Sequence, residues 1–271
     1  MAYWEDRMTA AQSKLTEKNL KQVERQLRKY YMSATKQVIQ DFEDTYIHLL
    51  ESVAADRAPT PADLYKIDKY WKLQAQLKAE LNKLGSRQIK ALSQAFELNY
   101  FDVYFSIGLD GLDAYSTIDK AAVRQVINQI WCADGKSWSA RIWESTDKLA
   151  QTLNDELINC VVSGKTTSQL KRTLQERFSV NYSAADSLAR TELTHIQTQA
   201  AKQRYTDYGI RYVQVWADAD ERRCEVCGDL HKQVYPVGAT MPIPAHPRCR
   251  CCIVPVVDEK FEKLQDLVDK E

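Results

Sequence analysis

Two short segments late in the chain hold most of the residues whose types and spacing could do chemistry. The first is Cys224-Glu-Val-Cys227. The second, after eighteen intervening residues, is His246-Pro-Arg-Cys249-Arg-Cys251-Cys252. A Cys-x-x-Cys turn brings two thiolates to one cation, and a tetrahedral zinc ion then needs two more nitrogen or sulfur ligands from a distant segment. The spacing therefore predicts a zinc site formed by Cys224, Cys227, His246 and Cys249.

The fourth ligand and the presence of metal have alternatives. Cys251 could replace His246, whereas the adjacent Cys252 would point to the opposite face of a strand. Buried thiols without metal are a second interpretation. Disulfides are a third, and they are disfavoured because the polar N-terminus lacks an apolar secretory core and indicates a reducing compartment. A bound zinc ion would be structural here, since its binding energy would stabilise a small β unit.

The candidates for catalysis are weaker than those for metal binding. A catalytic zinc keeps an open coordination position and needs a nearby acid or base, for which Glu225 and His231 are candidates. Four candidate ligands leave no open position, and the segment lacks a His-Glu-x-x-His pattern. Glu192 and His195 could share a helix face, but no nucleophile or phosphate-binding glycine loop accompanies them. We therefore expect a protein that is not an enzyme.

The composition excludes several classes of protein. Hydrophobic residues are 44% and charged residues 27%, which is enough apolar surface to exclude wholesale disorder. The 37 basic and 37 acidic residues cancel, so any contact with DNA must be local, because phosphate binding needs a basic excess. Such a contact could use the mildly basic first forty residues. No uninterrupted apolar run approaches the roughly 18 residues of a membrane span, so we expect no membrane contact during assembly.

The first half of the chain has the pattern of long amphipathic helices. Apolar residues recur every three to four positions from Leu20 to Val53, and prolines at 59 and 61 end this stripe. Thr60 followed by Pro61 and Asp63 is typical of a helix start. Gly85 can cap the end of that helix. A stripe longer than about 25 residues favours a structural arm or strut.

The second half changes its period near residue 209. Capping boxes are predicted at Thr166 with Gln169 and at Ser183 with Asp186, so that seven helices precede residue 209. Beyond Gly209, residues 210–216 and 253–256 are rich in β-branched and aromatic residues, which indicates strands. We predict a mainly α fold, an elongated array of helices that ends in a small C-terminal β-hairpin with a zinc-knuckle-like subdomain.

The two cysteine segments together resemble one known family. Asp220-Glu-Arg-Arg-Cys-Glu-Val-Cys227, paired with His246-Pro-Arg-Cys-Arg-Cys251, resembles the Mu F-like head morphogenesis family of tailed phages. The resemblance extends upstream to Ala189–Glu192, Gly164–Leu170 and Gly135–Trp143, and more weakly to Tyr3-Trp4. Cys252 beside Cys251 departs from the family pattern, which leaves the fourth ligand open. With this resemblance, the chain divides into a long-helix region (1–118), the helical core of the Mu F-like segment (119–209), a Cys/His-rich β knuckle (210–257) and a short charged helix or tail (258–271).

The resemblance implies a function as well as a fold. It implies a minor head protein, also called a minor capsid protein, present in few copies in the bacteriophage virion and acting in head assembly or genome delivery. Its expected partners are the portal protein and other head proteins, with phage DNA as a further candidate, in the virion and, during assembly, in the host cytoplasm. Some family members carry a toxin or enzyme domain after this segment. Only residues 253–271 follow Cys252 here, so we expect no such domain.

A second functional class competes with the structural one. A zinc-dependent DNA-binding or DNA-processing protein could use the basic first helix together with four arginines around the cysteine segments, namely Arg222, Arg223, Arg248 and Arg250. Acidic neighbours roughly cancel these charges, so the arginines are expected in salt bridges instead. Sensitivity to salt would separate the two classes, because phosphate-driven binding weakens steeply as salt rises.

Overall fold

The described part of the chain is mainly helical and carries a small antiparallel sheet. The computed structural model describes residues 2–53, 57–108, 118–217 and 223–256. Within these ranges the elements follow in the order α1 (Ala2–Ser52), α2 (Pro61–Lys66), α3 (Asp68–Ser106), α4 (Lys120–Ile127), α5 (Trp138–Val162), α6 (Thr167–Asp207), β1 (Tyr212–Trp216), α7 (Glu225–Leu230), β2 (Val234–Pro236) and β3 (Cys252–Pro255). The predicted fold class is confirmed. The tail predicted at 258–271 lies outside the described residues.

The predicted start of α2 is confirmed in its details. The Thr60 hydroxyl accepts the Asp63 N–H at 3.4 Å, and the Asp63 carboxylate accepts the Thr60 N–H at 3.0 Å, so both halves of a capping box are present. Arg57 donates to the same carboxylate at 2.7 Å. Its guanidinium, with the Thr60 hydrogen bonds, holds the pKa of Asp63 well below its ordinary value. These local contacts define where the second helical segment begins.

Gly85 does not end a helix, so that prediction was wrong. It lies inside α3, where a Cβ atom at position 85 would be 2.7 Å from Cζ3 of Trp143 in α5. The indole ring occupies the space that any larger residue would need. Glycine inside a helix costs about 1 kcal/mol relative to alanine. We infer that Gly85 permits the close approach of α3 and α5, at the cost of a lower helix propensity.

α6 is longer than its sequence signals indicated. The box at Thr166 and Gln169 is confirmed, with the Thr166 N–H donating to Gln169 Oε1 at 2.8 Å and the Gln169 N–H donating to Thr166 Oγ1 at 3.3 Å. Ser183 with Asp186 does not begin another helix, because α6 runs through both positions. No glycine or proline interrupts 167–207, so the backbone hydrogen bonds continue. Six helices, not seven, therefore precede residue 209 in the described ranges.

The chain forms two compact units from alternating segments. One unit comprises residues 23–92 and 130–186. Its core is a cluster of large apolar side chains whose fully buried members include Phe42, Leu49, Leu64, Leu153, Leu157 and Leu174. Arg177 and Glu156 in this unit form an ion pair with an Nη2 to Oε1 distance of 2.5 Å. The two units combine segments from different parts of the sequence. They therefore do not test the predicted division into four consecutive domains, which stays a prediction.

The other unit comprises residues 1–22, 93–129 and 187–271, and it contains the sheet. The strands are antiparallel in the order β2-β1-β3. Burial alternates along β1, with Val213 and Val215 fully buried. The backbone oxygen of Ile253 in β3 accepts hydrogen bonds from Gln12 Nε2 at 3.0 Å and from the Tyr205 hydroxyl at 3.2 Å. These two bonds attach the sheet to α1 and α6.

Within the described ranges, no helix contains an apolar run long and uncharged enough to cross a bilayer.

A double-mutant cycle tests the packing role of Gly85. In a Trp143→Ala background, Gly85→Ala is expected to raise the free energy of unfolding by about 1 kcal/mol, because only helix propensity then changes. In the wild-type background the same substitution must displace the indole ring, so the gain is expected to be smaller or reversed. Urea denaturation of the four proteins measures the coupling. Equal effects of Gly85→Ala in both backgrounds would contradict the packing role.

Candidate metal centre

The Cys-x-x-Cys segment is wound around the first turn of α7. Cys224 is the N-cap residue, and its sulfur accepts the N–H of Cys227 at 3.4 Å. This geometry places both sulfur atoms on one side of the turn. The imidazole of His246 faces them, with Nε2 3.3 Å from Cys224 Sγ and 3.1 Å from Cys227 Sγ. Three of the predicted ligands are therefore in contact.

The second segment completes a larger cluster around Cys227. The sulfur atoms of Cys227 and Cys249 are 3.8 Å apart. The donor atoms of Cys227, Cys249 and Cys251 lie within 4.8 Å of one another, as do those of Cys224, Cys227 and His246. Cys227 is common to both groups. The structure thus brings together all four predicted ligands and the alternative one.

Two threonines of α6 hold the second segment in place. The Thr194 hydroxyl donates to the backbone oxygen of Cys249 at 2.7 Å, and the backbone N–H of Arg248 donates to Thr191 Oγ1 at 3.0 Å. Sequence reasoning missed both anchors. Most threonines of this helix donate to the carbonyl four residues earlier, as Thr198 does, so no local signal distinguishes these two. Their role depends on a segment about fifty residues away.

Three of the distances among the donor atoms are close to those of a tetrahedral zinc site. Zinc–sulfur bonds of about 2.3 Å and zinc–nitrogen bonds of about 2.0 Å imply sulfur–sulfur distances of about 3.8 Å and sulfur–nitrogen distances of about 3.5 Å. The observed separations of 3.8, 3.3 and 3.1 Å lie close to these values. His246 Nδ1 donates to the Pro247 carbonyl at 2.8 Å. This bond leaves Nε2 with its lone pair directed at the thiols, as a metal ligand requires.

The thiols influence one another strongly. A hydrogen bond from the Cys251 thiol lowers the pKa of Cys249 to about 5, and the same bond raises the pKa of Cys251. Burial raises the pKa of Cys227 to about 12. The backbone N–H of Cys227 lowers the pKa of Cys224. Thiolates gathered this closely repel one another, and a divalent cation that displaces the remaining protons would remove that repulsion.

The other cysteines lie outside this cluster. Cys252 belongs to β3, and its charge contributes to raising the pKa of the buried Tyr205 hydroxyl, after burial itself. It is in neither group of possible ligands, in agreement with the expectation that it faces away from Cys251. No disulfide joins any of the seven cysteines, all of which lie in the described ranges.

The candidate acid and base residues occupy structural positions. His231 Nδ1 accepts the N–H of Ala217 at 3.2 Å, and its ring contacts Trp216 edge-on with the centroids 4.8 Å apart. His231 thus links β1 to the end of α7. Glu192 and His195 are buried in α6, with 4% and 6% of their surface exposed. Neither residue belongs to the thiol cluster.

Comparison with known families supports the resemblance deduced from the motifs. A sequence model of the family described as Phage Mu protein F like protein matches residues 151–254. The match includes α6, the sheet and both cysteine segments. The resemblance is therefore confirmed over this stretch, which is a Mu F-like segment. Similarity to this family suggests a phage head morphogenesis protein, and with it a location in the virion.

A comparison with curated proteins gives one distant relative. NAD(+)–arginine ADP-ribosyltransferase EFV of Enterococcus faecalis is 28% identical to this chain over 142 residues. The match covers 46% of this chain and 29% of that protein. The chain therefore spans less than a third of the length of this relative. No solved structure was found to match the chain.

Metal analysis of variants tests the site. The purified protein is expected to contain about one zinc ion per chain, and Cys227→Ser, which removes the thiol common to both groups, should abolish binding. Cys252→Ser is the matched control and should retain the metal. His246→Ala should weaken zinc affinity more than Cys251→Ser does. The reverse order would assign the fourth position to Cys251, and a metal-free wild-type protein would exclude the site.

The buried His195 should make stability depend on pH. Burial lowers its pKa to about 4, below the ordinary value of 6.5, so the unfolded state binds the proton more readily. The free energy of unfolding should therefore fall as pH drops from 6.5 to 4, by up to about 3 kcal/mol for this residue. Urea denaturation of wild type and His195→Gln across this range should show a smaller fall in the variant. Replacing the exposed His48 by Gln should leave the wild-type slope unchanged.

Proposed function

We propose that this chain is a structural protein of the phage head that associates with the portal vertex and acts in head assembly, genome delivery or both. The observation that carries the proposal is the Mu F-like match, which runs through both cysteine segments. Helices of 51, 39 and 41 residues accompany it. Helices of this length are typical of struts and docking arms in assemblies. The proposed partners are the portal protein and other head proteins.

In this proposal zinc acts as a structural clamp. The sheet has strands of only five, three and four residues, which form a weak β unit on their own. A zinc ion held by Cys224, Cys227, His246 and Cys249 would join the first turn of α7 to the segment before β3. The energy of metal binding would then contribute directly to folding. Cys251 is the alternative ligand in place of His246.

We propose further that the chain is not an enzyme. Four protein ligands around one tetrahedral ion leave no position for a substrate or a reactive water molecule. The Nδ1 atom of His231 is occupied by the Ala217 N–H, which leaves this histidine poorly suited as a base beside the metal. The relative named as an ADP-ribosyltransferase matches over only 29% of its length. Its named activity therefore does not argue for the same activity here.

Isolation of the portal complex tests the proposed association. When this chain is produced with the portal protein of the same phage, we expect the two to co-purify, since helix packing buries apolar surface. The complex should survive nuclease treatment and about 0.5 M salt, because apolar packing is insensitive to ionic screening. Size-exclusion chromatography with light scattering gives the stoichiometry.

The same experiment addresses the competing DNA-binding function. A bridge made by DNA would be lost on nuclease treatment, and phosphate contacts would weaken steeply between low and high salt. Recovery of only free chain under all conditions, or cleavage of DNA that disappears in Cys224→Ser, would overturn the structural proposal.

A further inference from the structure

A cleft of about 800 Å³ lies beside the thiol cluster, within the unit that contains the sheet. Its walls come from α1, α6 and the segment that precedes β3. Cys249 contributes to the wall, but the remaining lining residues belong to no part of the candidate metal centre. The volume is within the range of about 300–1,000 Å³ that is usual for small-molecule sites.

Four of the twelve residues that line the cleft are cationic. Lys14, Arg190, Arg248 and Arg250 line it, and the only acidic residue among those that the structure places in its wall is Glu17. The Glu17 carboxylate lies 3.5 Å from the ammonium group of Lys21, outside the cleft. Cations gathered in a concave, partly enclosed site concentrate anions there. Three guanidinium groups also offer the paired N–H donors that match the oxygens of a phosphate group.

One buried polar atom in the same wall lacks a hydrogen bond within the described ranges. It is Thr16 Oγ1, which belongs to α1. Buried polar groups are nearly always hydrogen-bonded, because leaving one unsatisfied costs about 1–3 kcal/mol. Thr16 lines the cleft, where a ligand could supply the missing partner.

The backbone at Arg248 has an uncommon conformation. Its φ angle is +63°, in the left-handed region that costs an L residue roughly 1 kcal/mol and favours glycine. The Arg248 N–H donates to Thr191 Oγ1 at 3.0 Å, which holds this segment against α6. Strained residues of this kind concentrate at ligand-binding sites.

We propose that this cleft binds a small phosphorylated molecule, whose phosphate oxygens are held by Arg190, Arg248 and Arg250 while Thr16 completes its hydrogen bonding. Phosphate is favoured because a doubly charged group with several acceptor oxygens can engage more than one guanidinium group at once. A free pyrophosphate and a nucleoside monophosphate share this chemistry. The inference does not depend on the proposed role in the phage head.

Isothermal titration of the full-length, metal-loaded chain provides the test, with sodium pyrophosphate and adenosine monophosphate as separate probes. Binding of either probe supports the proposal, and the tighter one identifies the source of the phosphate. Arg248→Gly should weaken binding at least about tenfold, and the melting temperature of each variant is measured to confirm that the chain is folded. The matched control is Lys232→Gly, since Lys232 has a similar φ angle of +67° but does not line the cleft.

A second pair of variants separates a binding role from a folding role. Thr16→Val should weaken binding without lowering the melting temperature, since it removes an unpaired buried hydroxyl. Gln12→Leu should leave binding unchanged and lower the melting temperature, because the Gln12 amide donates to Tyr205 and to Ile253 and does not line the cleft. Zinc content is measured for every variant to confirm that the metal centre is retained.

The proposal is overturned by any of three results. The first is no binding of either probe at millimolar concentration by the folded wild-type chain. The second is an equal loss of binding in Lys232→Gly and Arg248→Gly. The third is binding of a single-stranded oligonucleotide in the absence of binding to both small probes, which would assign these cations to a nucleic-acid surface instead.

Discussion

The meeting of two distant segments at Cys227 is the contact on which the C-terminal β unit depends. Its sulfur lies 3.1 Å from His246 Nε2 and 3.8 Å from Cys249 Sγ, so the first turn of α7 is joined to the segment before β3. Short strands bury too little surface to be stable alone. The unit is therefore held from two sides, by this cluster and by the hydrogen bonds from Gln12 and Tyr205 to Ile253.

Features encoded by neighbouring residues could be predicted from the sequence. The helix starts at Thr60 and Thr166 depend on side chains three residues away. The cysteine cluster could be predicted because cysteine and histidine at this spacing are typical of zinc sites. The error at Gly85 and the missed contact of Gln12 arose where a distant residue decides the structure. Gly85 looks like a helix end until Trp143 is placed against it. The bond from Gln12 to Ile253 spans 241 residues and has no sequence signal.

Three long helices contribute residues to both compact units. Residues 1–22 and 23–52 of the same helix, α1, belong to different units, and α3 and α6 are shared in the same way. Each unit is assembled from segments far apart in sequence, so its core forms only after long loops have closed. In such a topology the thiol cluster has a defined role, because it joins the start of α7 to the segment before β3, which two threonines of α6 also hold.

Arg248 connects the clamp to the cleft beside it. Its neighbour Cys249 is held by the Thr194 hydroxyl, and its own N–H is held by Thr191 at 3.0 Å, so two bonds from α6 maintain the left-handed backbone. A clamp alone would require only that Cys249 reach Cys227, and glycine at 248 would satisfy that requirement with less strain. The proposed anion site gives the arginine a role, since the residue lines the wall of the cleft. Under the two proposals, the same backbone segment presents a thiolate to a cation and a guanidinium to an anion.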